Sequence, residues 1–277
     1  MSTATLDKPS RRPAFTALPD TQNNRDDRRL RINRVGIRGL RHPISVRDSE
    51  GETQPTVATL ALAVDLPAHL KGTHMSRFVE VLRDHGRIVD AASLPALLAA
   101  LQKRLEAREA FVELDFVYFR EKAAPISGAR GLVDYGVRLA ASARGEDIDL
   151  TVEVKVPVTT LCPCSKAISA YGAHNQRGYV TLAVRAARPV GIEQAIRLVE
   201  ESASAEIYSL LKRPDEKHVT ERAYENPVFV EDLVRNIALR VKALKGVIGF
   251  RVEAENQESI HNHAAYARID GGEPISL

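Results

Sequence analysis

The residues best suited to chemistry are concentrated in one stretch, 156–178, which reads V-P-V-T-T-L-C-P-C-S-K-A-I-S-A-Y-G-A-H-N-Q-R-G. Cys162 and Cys164, the only cysteines in the chain, flank a proline beside Ser165 and Lys166. Their spacing makes a mutual disulfide geometrically poor, and in extended chain it points both side chains to one face. His174 follows twelve residues after Cys162. A thiolate and an imidazole are good ligands for a borderline-soft divalent metal. The pattern is not a structural zinc signature, because it lacks a C-x-x-C pair and one histidine leaves a closed tetrahedral site incomplete. Nor is it the H-x-E plus P-C-x-x-C pattern of the zinc deaminases. An incomplete set is what a catalytic metal requires, provided a carboxylate or another histidine joins it and water takes the open position. The bland reading is two buried cysteines and a loop histidine.

Three other clusters supply candidate groups. Residues 212–218 read K-R-P-D-E-K-H, and Glu216 there could serve as a third ligand, although an acidic residue in a charged turn is ordinarily just solvated. Residues 253–263 read E-A-E-N-Q-E-S-I-H-N-H, and His261 and His263 share a face if the chain is extended. Residues 226–232 read N-P-V-F-V-E-D, placing Glu231 near a helix start, where an acidic side chain stabilises the helix dipole without any further role.

Apolar periodicity gives the elements that must position these groups. In the first half, strands are expected over 35–47 and 56–66, helices over 75–85 and 94–106, and strands over 110–119 and 131–143. In the second half, strands over 147–158 and 178–187 precede helices over 192–211 and 228–244. The latter is opened by Asn226-Pro227, and strands over 247–255 and 263–269 close the pattern. The K-R-P-D-E-K-H run then falls at the end of the first of these helices. Each half reads ββααββ, a repeat of architecture rather than of sequence. The chain is therefore expected to be α+β, with antiparallel sheets bearing helices on one face. The two modules are 30–146 and 147–277, the second carrying most of the motifs. Such a sheet leaves a second face and two edges to cover, which points to a homo-oligomer.

Composition excludes several classes. With 277 residues, 44% hydrophobic and 27% charged, the chain is an ordinary globular protein rather than a disordered one. No apolar run approaches the roughly 20 residues of a bilayer span, and no apolar core marks a secretory signal, so neither a membrane nor an export route is expected. Two cysteines without a disulfide framework suit a reducing cytoplasm. Residues 1–47 hold 11 Lys+Arg against 4 Asp, although the whole chain is only +3. Residues 1–29 lack periodicity and are expected to form a flexible basic arm. Without interleaved aromatics or a nucleic-acid module, that charge does not make nucleic acid an expected partner.

The motifs L-C-P-C-S-K, Y-G-A-H-N-Q-R-G, K-R-P-D-E-K, A-Y-E-N-P-V-F-V-E-D and E-N-Q-E-S-I-H-N-H, in this order, resemble the type IB GTP cyclohydrolase I family. K-G-T-H-M-S-R-F at 71–78 carries the resemblance into the first half. The resemblance implies a tunnelling fold, in which ββααββ modules close into a barrel by oligomerisation. Here there are two per chain, in a homotetramer with active sites between subunits. The implied reaction converts GTP and water to 7,8-dihydroneopterin triphosphate and formate, the first step of folate and pterin synthesis. By the same resemblance, Cys162, His174 and Glu216 hold one divalent metal per active site, whether Zn, Mn or Fe. Cys164 becomes a second thiol facing substrate, and His261 and His263 handle protons. Glu231 reads the guanine edge, while Lys166, Arg177 and Arg213 face the triphosphate. A nitrile reductase of the same fold would need a nicotinamide cofactor and no metal, and His174 and the H-N-H cluster argue against it. A purely oligomerising, nucleic-acid-binding protein leaves the Cys, His and Glu clusters unexplained.

Overall fold

The computed structural model describes residues 20–275. Its first half runs β1 (Ile32–Arg47), β2 (Thr53–Leu66), α1 (Met75–His85), α2 (Leu94–Leu105), β3 (Glu109–Ala123) and β4 (Arg130–Arg144). The second half runs β5 (Asp147–Leu161), α3 (Pro163–Ile168), β6 (Asn175–Ala186), α4 (Ile192–Glu200), β7 (Ala205–Glu206), α5 (Arg213–Glu225), α6 (Val230–Lys242), β8 (Val247–Gln257) and β9 (Ala264–Gly272). The strands form one antiparallel sheet in the order β1-β2-β3-β4-β5-β6-β8-β9, with β7 added to β5 at Val158 and Thr159. The expected α+β class, antiparallel sheet and helices on one face are all present.

Period-two burial explains why one face is covered. On β5, Leu150, Val152, Val154, Val156 and Val158 are buried, whereas Lys155 between them is exposed. Val180, Leu182 and Val184 on β6 and Phe250, Val252 and Ala254 on β8 continue the same surface. Helix α2 packs on β3 and β4, α4 on β5, and α6 on β8 and β9, giving one apolar core that crosses both halves. The opposite face is polar: Arg34 pairs with Glu113, Arg138 with Asp115, and Arg251 with Asp270. Strands β1 and β9 end the sheet; the outer edge of β1 is bridged only at Ser45, by residues 87–89, and neither edge has a further strand partner among the described residues.

Three local expectations need correction. The helix expected over 192–211 ends at Glu200, and the chain then crosses toward the first half before α5 begins. Glu200 is buried against Lys122 at 2.7 Å and the Tyr135 hydroxyl at 2.9 Å, so the chain there is held by side chains of β3 and β4. The K-R-P-D-E-K-H run therefore does not end the helix expected over 192–211 but opens a separate one, α5, with Lys212 as its N-cap. Apart from Asp215 and Ala223 it buries nothing, so it carries no apolar stripe for periodicity to detect. Asn226-Pro227 does not open α6; Asn226 caps the end of α5, and Phe229 is the N-cap of α6. Finally, the run from Cys162 to Cys164 is not extended: Cys162 keeps extended backbone as the N-cap, but Pro163 and Cys164 lie in the first turn of α3.

Residues 1–19 of the expected basic arm lie outside the described residues. Residues 20–26 run beside 67–74: the Asp26 amide donates to the His69 carbonyl, Lys71 to Asn24 and Gly72 to Gln22. Asp20 meets His74 Nε2 at 3.1 Å.

Candidate active site

The strand pair β5–β6 brings the first two candidate ligands together. Its register pairs Leu161 with Asn175, and the Cys162 amide extends the ladder by donating to the His174 carbonyl at 3.3 Å. Cys162, just past the end of β5, and His174, just before the start of β6, thus stand opposite one another beyond the last rung. Ser165 fastens the two segments: its amide donates to Cys162 Sγ at 3.4 Å, and its hydroxyl accepts from the His174 amide at 3.3 Å. Cys162 is half-buried and Cys164, turned onto α3, is exposed. His174 Nδ1 is buried without a hydrogen-bond partner among the described residues. A buried imidazole nitrogen lacking a partner, next to a free thiol, fits a divalent metal of the kind that Cys and His prefer.

Behind this pair lies a row of buried polar side chains that periodicity treats as ordinary strand positions. Thr160, Gln176 and Asn256 each have an unpartnered buried polar atom. Gly178 lies between Val158 and Asn256 on adjacent strands, and a β-carbon there would fall 2.7 Å from Asn256 Oδ1. The glycine of the H-N-Q-R-G run is a packing requirement for the Asn256 amide.

The remaining candidates come from four elements at this end of the sheet, α3, β6, α5 and α6. Segment 226–229 is tied to the Cys162 strand by the Val228 amide donating to the Leu161 carbonyl at 3.1 Å. The Asn226 side chain donates to the Ala203 carbonyl at 3.0 Å. Glu231 follows in the first turn of α6, exposed, without an ion pair among the described residues. Glu216 and Arg213 are exposed in the first turn of α5. Between them, Asp215 is enclosed. Its burial opposes ionisation, but the Ser127 hydroxyl and the amides of Ser127, Lys212 and Ile126 outweigh it and hold the carboxyl well below the usual range. Lys166 is engaged within the chain, its ammonium on the Tyr224 carbonyl and 4.3 Å from the Tyr224 ring centre. Arg177 is exposed on β6.

His261 and His263 lie in the β8–β9 turn, not on a strand. Their ring centres are 5.0 Å apart, and Glu258 Oε2 meets His261 Nδ1 at 2.7 Å. The one sequence signal for Glu258 is its position three residues before a histidine in a turn. Among the described residues, Glu258, His261 and His263 are the group whose ligand atoms all lie within 4.8 Å of one another. Cys162, His174 and Glu216 do not form such a cluster within the single chain.

A second buried network, also unforeseen, crosses between the halves. Lys122 on β3 reaches Glu206 at 2.6 Å as well as Glu200, under the Tyr208 ring. Burial, reinforced by the Glu200 carboxylate, pushes the Tyr135 hydroxyl far above the phenol range. Burial with Glu206 pushes Tyr208 up to about 12.

The chain is similar to known proteins over nearly its whole length. A family profile described as type I GTP cyclohydrolase folE2 matches residues 18–267. A GTP cyclohydrolase FolE2 of Akkermansia muciniphila is 57% identical over 256 residues, covering 91% of this chain and 97% of that protein. One of Burkholderia pseudomallei is 54% identical over 258 residues, covering 93% and 97%. In structure, uricase from Arthrobacter globiformis superposes with a TM-score of 0.50 at 9% identity, over 88% of this chain and 96% of that one, a likeness of fold alone.

Proposed function

The chain belongs to the type I GTP cyclohydrolase FolE2 family, and from that premise we propose that it converts GTP and water to 7,8-dihydroneopterin triphosphate and formate. The observation carrying this reading is the 57% identity over 91% of the chain, together with a family profile matching residues 18–267, a span that includes every motif of the candidate site. In this reading Cys162, His174 and Glu216 hold one divalent ion, of which Zn, Mn and Fe suit mixed sulfur, nitrogen and oxygen donors. When bound, such an ion supplies Lewis acidity and lowers the pKa of water toward neutrality. Glu231 accepts from guanine N1–H and the exocyclic amine with one carboxylate, which fixes the base. Cys164 and the histidines of the β8–β9 turn move protons at the opening imidazole ring, with Glu258 orienting His261 through Nδ1 and leaving Nε2 toward substrate. Arg177 and Arg213 counter the triphosphate, with Lys166 joining them once it leaves Tyr224.

The clustering of Glu258, His261 and His263 favours one alternative within this reading, in which these three hold the ion. Metal stoichiometry of Cys162→Ala against His263→Ala separates the two assignments. The chain divides functionally into the segment before residue 30, a first module over 30–146 and a second over 147–277. Two sheet edges that lack a full strand partner among the described residues support assembly into a closed homotetramer with active sites between subunits. So do exposed apolar side chains beside the site: Tyr171, wholly exposed, with Ile168 and Ile260. No helix among the described residues is long and apolar enough to cross a membrane, and the two free cysteines suit a cytoplasmic setting. The test is incubation with GTP and each divalent metal, reading formate release and the fluorescence of the oxidised pterin. Absence of both with every metal refutes the reading.

A further inference from the structure

The first turn of α5 is fastened to the other half of the chain through one carboxylate. Asp215 accepts from the Ile126 and Ser127 amides at 2.8 Å each and from the Ser127 hydroxyl at 2.6 Å. A fourth bond, from the Lys212 amide at 2.8 Å, closes the helix start. Capping needs only that last bond. The other three come from the β3–β4 turn, residues 124–129, which is itself braced by Ala124 donating to Ala129 and Gly128 donating to Ala124. Upstream, the crossing segment is seated on the same half at two more points. Lys122 holds Glu206, and Gly131 lacks the β-carbon that would lie 2.5 Å from Ser209 Oγ. Asp215 is the last of these anchors and adjoins Glu216.

We infer that Asp215 is a positioning residue: by pinning the start of α5 to the β3–β4 turn, it fixes the place from which Glu216 completes the metal-binding donor set. The inference rests on the reading of Glu216 as a ligand. Neighbouring residues in one helical turn share a backbone, so releasing Asp215 releases Glu216, and ligand distances tolerate only about 0.2 Å. If Asp215 were merely a cap, helix stability would change and metal affinity would not.

The test is cobalt(II) titration of the full chain, read by the thiolate-to-metal absorbance band, for wild type, Asp215→Asn, Ser127→Ala, Ser127→Thr and Glu216→Gln. Asp215→Asn should weaken cobalt binding roughly 10- to 100-fold, the range expected when an outer partner of a ligand is lost. Ser127→Ala should weaken it several-fold, Ser127→Thr should restore it, and Ser127→Ala should add nothing on top of Asp215→Asn. Wild-type affinity in both Asp215→Asn and Ser127→Ala, with binding lost in Glu216→Gln, overturns the positioning role and leaves Asp215 a cap. Wild-type affinity in Glu216→Gln overturns the ligand reading, and the inference with it. Should Asp215→Asn fail to fold, the contrast between Ser127→Ala and Ser127→Thr decides alone, and equal affinities in that pair overturn the inference.

Discussion

Gly178→Ala should destabilise the protein, whereas the same substitution at Gly136 should not, and the difference follows from what a β-carbon meets. At Gly178 it falls 2.7 Å from Asn256 Oδ1 and 3.0 Å from Val158 Cγ2, both on fully buried side chains. Asn256 must rotate its amide within an enclosed space, and Val158 must yield as well. Overpacking of this kind costs about 1–3 kcal/mol. At Gly136 the nearest atom is Lys155 Cβ at 3.5 Å, an ordinary contact, on the open face. Both substitutions gain about 0.4–1 kcal/mol by restricting the unfolded chain. Gly136→Ala should therefore be neutral or stabilising, and Gly178→Ala should lie roughly 1–3 kcal/mol below it. Thermal and urea unfolding of the two variants measures the gap. Asn256→Ala should recover most of the loss in the Gly178→Ala background, because it removes the obstructing oxygen. Equal stability of the two glycine variants, or no recovery, would refute the packing argument. His174 lies four residues before Gly178, immediately ahead of β6, so metal affinity should fall with stability in Gly178→Ala and stay unchanged in Gly136→Ala.

Cys162→Ala should abolish stoichiometric metal binding and turnover while circular dichroism stays that of the wild type; full metal occupancy would transfer the ligand role to Cys164 or to the β8–β9 turn. Glu231→Gln should keep its metal but lose about 2–4 kcal/mol of guanine recognition, roughly 30- to 1,000-fold in kcat/KM, because the amide turns a donor toward a guanine donor. Near-normal kcat/KM with slightly lower thermal stability would make Glu231 a helix-start residue only. Ultraviolet titration should show Tyr118, Tyr135 and Tyr208, of seven tyrosines, resisting ionisation through the ordinary phenol range, since all three are raised in the folded state. The unfolded chain then releases protons that the folded chain retains, so stability should fall as pH rises above about 10. All seven titrating before unfolding would contradict the buried network.

Much of this architecture was legible because strands on a half-covered sheet announce themselves. The alternation through Leu150, Val152, Val154 and Val156 marks β5 without ambiguity, and Leu97, Leu98 and Leu101 mark α2 by their burial against β3 and β4. What stayed hidden lacked a period. Helix α5 is held by Asp215 and its proline-containing first turn, not by an apolar stripe. Helix α3 is one short turn behind a proline, which flips the Cys162–Cys164 relation from that of a strand to that of a helix start. The motif residues were legible as chemistry but not as geometry: the chain pairs Cys162 with His174 and gathers His261 with His263. It leaves Glu216 and Glu231 on separate helices. Glu258, Asp215 and Asn256 are invisible to periodicity because an acidic or amide side chain in a polar run carries no local sign of burial.

The distribution of labour between the halves follows from these contacts. The first half contains none of the Cys, His or Glu candidates, yet it is more than a structural duplicate. Its strands β3 and β4 supply Lys122 and Tyr135 to Glu200, bare Gly131 to Ser209, and the turn at Ile126 and Ser127 to Asp215. Each of these contacts lies on the path from the end of α4 to the start of α5. That path has no strand longer than β7 and no apolar stripe to hold it against the sheet. A segment without its own core must borrow its position from neighbours, and here it borrows from strands that are themselves fixed by the continuous core. A chain cut to its second half would keep the Cys162–His174 pairing, which is local to β5 and β6. It would lose what determines where Arg213 and Glu216 stand. The second half thus supplies the candidate donors, and the first half sets their relative placement through side chains that carry no chemistry of their own.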